Sequence, residues 1–380
     1  MNVLYIGPNA SEWAQMHCPV SLAAAKWSRG LQKALSAICN LTTLSHTNMY
    51  PWPKGRKLWV GYDKRYYPKE WKCVSVQYPA VRGLREWWWE EAYACKAKKI
   101  VEEDKIDAVL IYNCYECWQV PVLKEIKKAC PHVKIYSIIL DGDDPRKDNW
   151  GWMRRAAEYS DGFIPLSWWM HENIPARLCK PSYHMDGGAD EWCGGVPKES
   201  SPDKPFTLVH TGALDQWRGL NFMIQVVERY AGSSVKFIFC GKSSEKVLRA
   251  QFGNNPHVEL SGFVSEEEMN WICNDADVLL NVRDPKHPDN ILNYPSKLPH
   301  YLSFGRPVVS TRLQSLSPDY AEVVRFPVSD TVEDYIRELE TVRSWDFDHR
   351  QAEYAKIKIW FDARKRWDVL VKGLLEWLQN

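Results

Sequence analysis

Residues 293–311 read Asn-Tyr-Pro-Ser-Lys-Leu-Pro-His-Tyr-Leu-Ser-Phe-Gly-Arg-Pro-Val-Val-Ser-Thr, and these types suit the holding of an anion. A helix starting there offers unpaired N–H groups and a partial positive charge. Pro295 suits the first helical turn, where its missing N–H costs nothing, and Ser296 suits the cap. Lys297 adds a full positive charge in that turn, against the dipole, which points to an anion beside it. A solvated Lys on an ordinary helix is the plain alternative. Elsewhere Asp141, Asp143 and Asp144 close an apolar run, with the chemistry of a divalent-metal site or of a solvated turn. Residues 51–72 interleave cations with rings, among them Lys54, Arg56, Lys57, Trp59 and Arg65, opposed only by Asp63 and Glu70. Such a stretch can grip anionic lipid head groups, an anionic glycan or nucleic acid, and equally can be a solvated loop with packed aromatics.

Periodicity supplies the elements that must position these residues. Leu298, Tyr301 and Leu302 recur at helical spacing, Gly305 ends that helix, and Val308-Val309 opens a buried strand. Residues 3–6 form an apolar run ending in Gly7-Pro8-Asn9, a first parallel strand with Gly7 and Asn9 in a ligand-facing loop. Helical spacing over 21–38 follows, then strands at 41–44 and 73–76, a charged helix over 90–103, and strands from 107, 134 and 162. A Gly, Pro and Ser-rich break at 194–204 reads as a linker. A second alternating series then begins: strands at 206–210 and 235–240, helices at 222–230 and 266–274, and a strand at 276–281. Ser265 caps the second of these helices with Glu268 in the reciprocal position. Residues 350–378 carry Trp360, Trp367, Leu370, Leu374 and Trp377 near helical spacing. Two α/β domains with mostly parallel sheets follow.

The bulk numbers narrow the function. At 380 residues two domains are expected, and a net charge of +1 gives no global attraction to nucleic acid or membrane. Eleven Cys include one lone Cys114-x-x-Cys117, which is too little for a zinc ribbon, so reduced cytoplasmic thiols are expected. The first residues are too short and uncharged for a signal peptide, and no apolar run reaches membrane-spanning length.

Pro-Ser-Lys-Leu at 295–298, Tyr301-Leu302, and Gly-Arg-Pro-Val-Val at 305–309 together resemble the donor-site signature of GT-B glycosyltransferases, in the large retaining family of bacterial and phage enzymes (a family-4-like group). The resemblance covers most of 206–311 and reaches the first domain only through architecture. It implies two doubly wound Rossmann-like domains facing a cleft. The first, 1–195, would bind acceptor and be completed by a C-terminal helix at 360–380. The second, 196–359, would bind a nucleotide-sugar donor. Residues 211–220 resemble the family's first donor loop. Ala213 replaces one of its two basic residues and Arg218 keeps the other, as a phosphate ligand through its planar fork. Gly262, Phe263 and Val264 match a segment whose backbone reads the nucleobase, with Gly212 at the head of the donor loop. His300 stands where relatives usually place a ribose-binding Glu, and Leu292 replaces that residue's partner Glu. Asn293, Tyr294 and Ser296 complete the donor residues, and Asn290 and Asn293 either bond sugar hydroxyls or shape their loop. Asp141 falls where the family carries a residue facing the donor sugar, and is the candidate catalytic position.

The reaction so implied is glycosyl transfer from a UDP- or GDP-linked sugar to an acceptor hydroxyl with retention. It needs no metal and no cofactor beyond the donor, and no protein nucleophile. The expected acceptor is a glycan or lipid-linked glycan, with peripheral membrane contact open. A phage-type transferase acting on hydroxymethylated DNA is one alternative, and a sugar-nucleotide epimerase or hydrolase of the same fold is another.

Overall fold

Apolar runs bounded by turn residues form parallel strands where helices cover both faces of a sheet, because neither face is then left to water. The computed structural model describes residues 1–113, 118–140, 150–197, 199, 204–216, 218–232, 234–241 and 245–379. It divides into two units, Met1–Gly187 with Leu370–Asn380, and Gly188–Val369. Residues 188–195 go with the second unit, where the Trp192 ring meets Tyr354 and Phe361 edge-on at 5.4 and 5.5 Å.

The first unit holds β1 (Asn2–Ile6), β2 (Asn40–His46), β3 (Trp59–Val60), β4 (Lys72–Val76), β5 (Tyr78–Pro79), β6 (Ala108–Tyr112), β7 (Lys134–Ile139) and β8 (Gly162–Pro165). Six of them make one parallel sheet in the order β4-β2-β1-β6-β7-β8. The other two, β3 and β5, pair antiparallel as a separate ribbon that periodicity does not reveal, since two-residue strands carry no pattern. The helix Leu22–Ile38 is capped by Ser21 and turns Ala25, Trp27, Leu31 and Leu35 inward. In the helix Leu84–Glu103, three consecutive Trp point three ways, about 100° apart. Trp89 is buried and stacks on His46 at 4.4 Å, Trp88 is half-buried, and Trp87 faces outward.

The second unit holds β9 (Phe206–Thr211), β10 (Val235–Cys240), β11 (Val258–Gly262), β12 (Val278–Asn281), β13 (Val308–Ser310) and β14 (Val324–Arg325). They form one parallel sheet in the order β11-β10-β9-β12-β13-β14. Its core joins Leu208, Phe237, Val278 and Leu280 to Met223 and Val226 of one helix and Tyr335 and Leu339 of another. The terminal stretch is two helices, Phe347–Arg364 and Trp367–Gln379. Trp377 of the last, which belongs to the first unit with the rest of 370–380, lies against Tyr136 and Tyr183 of that same unit, at 5.0 and 5.3 Å.

Candidate functional site

Open parallel sheets bind ligands beyond the carboxyl ends of their strands, where strand order reverses. In the second unit that point lies between β9 and β12. Three glycines in left-handed or related backbone conformations shape the rim beside it: Gly212 (φ +85°), Gly241 (φ +151°) and Gly262 (φ +66°). Gly212 N–H donates to Cys240 O at 2.7 Å and Gly241 N–H to Gly262 O at 2.6 Å. A Cβ on Gly241 would lie 2.5 Å from Gly212 O, so only glycine lets these strand ends meet. Phe263 follows, 67% exposed, and Val264 is half-buried.

The Lys297 turn differs from its sequence reading. The helix runs from Leu298 to Leu302, Pro299 occupies its first turn, and Lys297 is the cap residue, with no side-chain capping bond. Pro295 and exposed Ser296 lie in the preceding turn, where Pro295 O accepts from Leu298 N–H at 3.0 Å. Proline is accommodated better at Pro299, inside the helix start, than ahead of it. A five-residue helix carries little dipole, so the positive potential here comes from side chains.

Those side chains converge. The Lys297 ammonium donates to His210 Nε2 at 2.9 Å and to Thr211 O at 3.0 Å, which leaves one N–H unspent among the described residues. Burial pushes its pKa well below the lysine range, and the Arg283 and Arg218 charges push the same way. His210 is fully buried and is likewise held well below its usual range, by burial first and then by Lys297 and Arg283. Arg283, two residues beyond β12, is buried and donates through Nη1 to Asn293 O at 3.1 Å and Asn290 Oδ1 at 3.4 Å. Arg218 pairs with Asp215 at 2.5 Å and keeps about a third of its side chain exposed (32%). The next residue, Gly219 (φ +86°), packs so tightly that a Cβ would sit 2.7 Å from Val282 Cγ1 and 3.3 Å from Arg283 Cα. The loop carrying Arg218 is thereby pressed onto the strand end carrying Arg283. Among the described residues, three cations gather here with Asp215 on one of them, an arrangement that suits an anion.

The other sequence-derived donor residues separate by direction. Asn293 lends its carbonyl to Arg283, and its side-chain Oδ1 is buried with no partner among the described residues. Asn290 is buried and shapes the loop, its amide donating to Asp284 O at 2.7 Å. Tyr294 turns its hydroxyl into the core, 2.5 Å from that of Tyr320, so its side chain serves the fold. His300 is half-buried and lies edge-on to Phe304 at 4.8 Å. Sequence reading passes over Arg283, whose one signal is a cation just past an apolar strand.

In the first unit the corresponding reversal lies between β1 and β6. A Cβ on Gly7 would meet Tyr112 Cβ at 2.5 Å, so glycine lets the β1 loop lie against β6. Asn9 is buried, donates to Cys73 Sγ at 3.0 Å, and has an unpartnered Oδ1 among the described residues. Asp141 lies outside the described residues. Lys54 sits 3.8 Å over the Tyr50 ring, Arg56 and Lys57 are exposed, and Trp59 meets Trp88 edge-on at 5.4 Å. Arg65 is tied instead to Asp63 at 2.9 Å and to the Trp13 ring at 4.4 Å. Among the described residues no three metal-ligating side chains stand together.

Residues 205–342 match the family described as glycosyl transferases group 1. Solved structures share the fold along the whole chain at low identity. A lipopolysaccharide outer core galactosyltransferase, WaaB, is 14% identical with a TM-score of 0.67, covering 99% of this chain and 98% of that one. Sucrose-phosphate synthase from Thermosynechococcus elongatus is 10% identical with a TM-score of 0.68, covering 100% and 98%. HepE of Anabaena, in complex with UDP, is 12% identical with a TM-score of 0.65, covering 100% of both chains. No curated protein matches the chain by sequence. Fold and domain match agree on the class of architecture: the chain has the GT-B fold, the fold of these glycosyltransferase structures. More particularly, its second unit carries a glycosyl transferases group 1 domain.

Proposed function

We propose that the chain moves a sugar from a nucleotide-diphosphate sugar to an acceptor hydroxyl with retention, and that the donor's pyrophosphate is held by Lys297, Arg283 and Arg218. The observation that carries this reading is the convergence of those three cations at the reversal of the second sheet, where one ammonium N–H is left unspent among the described residues. HepE and an E. coli trehalose-6-phosphate protein were solved with UDP and with UDP-2-fluoro glucose, which favours a UDP-linked donor. In the reaction the bond from the sugar's anomeric carbon to the β-phosphate oxygen breaks, and its electron pair stays on that oxygen. The acceptor oxygen bonds to the anomeric carbon on the same face and gives its proton to the departing phosphate. Lys297, Arg283 and Arg218 stabilise the charge that grows on the phosphate, the electrostatic contribution that dominates many such transfers. Phe263 and the Gly262 backbone offer a surface for the base.

The acceptor we favour is a glycan or lipid-linked glycan, used in the cytoplasm without metal or further cofactor; the nine described cysteines carry free thiols, which suits that compartment. The test is incubation with UDP- and GDP-sugars, with and without glycan, lipid-linked glycan and hydroxymethylated DNA acceptors. Nucleotide diphosphate released only with a glycan, and an anomeric proton coupling unchanged from donor to product, is the expected result. Release without any acceptor would point to a hydrolase or epimerase, and release with modified DNA alone to a DNA glycosyltransferase.

A further inference from the structure

The first unit carries an exposed surface that the donor-phosphate reading does not involve. Tyr50, Trp52, Leu58, Trp59, Leu84 and Trp87 are each 45–61% exposed, although large apolar side chains are ordinarily turned inward. They are neighbours in space as well as in sequence. The 50–60 segment is laid along 78–80 by Trp52 N–H to Ala80 O (2.7 Å), Ala80 N–H to Leu58 O (2.8 Å) and the β3–β5 ribbon. The helix starting at Leu84 joins them through the Trp59–Trp88 contact. The same surface is cationic. Lys54, Arg56, Lys57 and Arg82 are exposed, and none of them is ion-paired among the described residues. No acid occurs from 50 to 62 or from 78 to 85, and the flanking Asp63 and Glu86 are taken up by Arg65 and Arg85.

We propose that this ribbon and the following helix start dock the protein onto an anionic lipid bilayer surface. Tryptophan and tyrosine with leucine, ringed by Lys and Arg, suit the zone between head groups and acyl chains, where an apolar body and a polar tip are both satisfied. The cations add attraction to anionic head groups. Nucleic acid fits less well. Single strands need free, flat ring faces, whereas Trp59 is engaged edge-on with Trp88, Tyr50 is covered by Lys54, and the two leucines offer nothing to stack on. No described helix is long and apolar enough to cross a membrane, so the contact is one of lying on the surface. This inference stands independently of the sugar-transfer reading.

Vesicle sedimentation of the full chain tests it. Vesicles of phosphatidylglycerol and phosphatidylcholine should pellet the protein, with at least tenfold weaker binding to phosphatidylcholine alone and in 0.5 M salt. Lys54→Glu with Lys57→Glu, and separately Trp52→Ser with Trp87→Ser, should each weaken binding at least tenfold, with thermal unfolding and UDP affinity retained as the check on folding. No pelleting with anionic vesicles, undiminished pelleting of both double variants, or binding to an oligonucleotide at lower concentration than to vesicles would overturn the proposal.

Discussion

The ammonium of Lys297 donates to the buried Nε2 of His210 at 2.9 Å, joining residues 87 apart in the chain. Both groups have pKa values held well below their ordinary ranges by burial, and Arg283 depresses both further. Both shifts favour a neutral His210 that accepts, and a charge on Lys297 is held only at the expense of a crowded, desolvated position. A bound pyrophosphate would relieve that crowding.

A pH dependence of UDP affinity follows. The depressed pKa means that Lys297 loses its proton at lower pH in the free protein than an ordinary lysine does. Bound pyrophosphate raises the pKa, so between the free and bound values binding takes up a proton. Affinity should fall as pH rises through that window, by at most about tenfold per pH unit. Calorimetric titration in buffers of different ionisation enthalpy should detect the proton, and Lys297→Met should abolish both uptake and slope.

Removing single cations should weaken UDP binding unequally. Arg283→Ala and Lys297→Ala each delete a largely desolvated charge-assisted contact, for which a loss of about 1.5–3 kcal/mol, roughly tenfold to a hundredfold in Kd, is expected. Arg218→Ala should cost less, because its guanidinium already shares Asp215 and stays partly in water. Unchanged UDP affinity in all three variants would remove the phosphate assignment.

Gly219 and Gly212 separate steric from conformational demand. Both have positive φ, but a Cβ at Gly219 meets Val282 at 2.7 Å whereas one at Gly212 meets nothing within 4 Å. Gly212→Ala should therefore cost about 1–2 kcal/mol of unfolding free energy. Gly219→Ala should cost more, by a further 1–3 kcal/mol or so of overpacking. Urea unfolding of the two variants gives the comparison.

Tyr294→Phe should lower stability by about 1 kcal/mol, through loss of the hydroxyl bond to Tyr320, and leave UDP affinity within a factor of two. A large drop in UDP affinity would return Tyr294 to the donor site.

Much of the architecture was legible in the chain because burial imposes a period. Runs such as 108–112 and 278–281 are buried at every position, as strands covered on both faces must be, and the helix Leu22–Ile38 shows its inward stripe directly. The Lys297 turn and the Arg218 loop could be singled out from local residue types. The ribbon of β3 and β5 could not, since its strands are too short to carry a period. Nor could the helix start at Leu298, where either of two prolines satisfies the same local rule.

By itself, then, the sequence determined two alternating α/β series, a basic turn before a short helix, and a patch rich in rings and cations. Only the tertiary structure decided that Arg283 joins Lys297 and that Tyr294 faces the core. It also decided that the exposed rings at 50–59 and 84–87 share one surface. The physical reason is that a side chain's direction is settled by what packs against it. At this site those partners arrive from β9 and β12, neighbours in the sheet though some 70 residues apart along the chain.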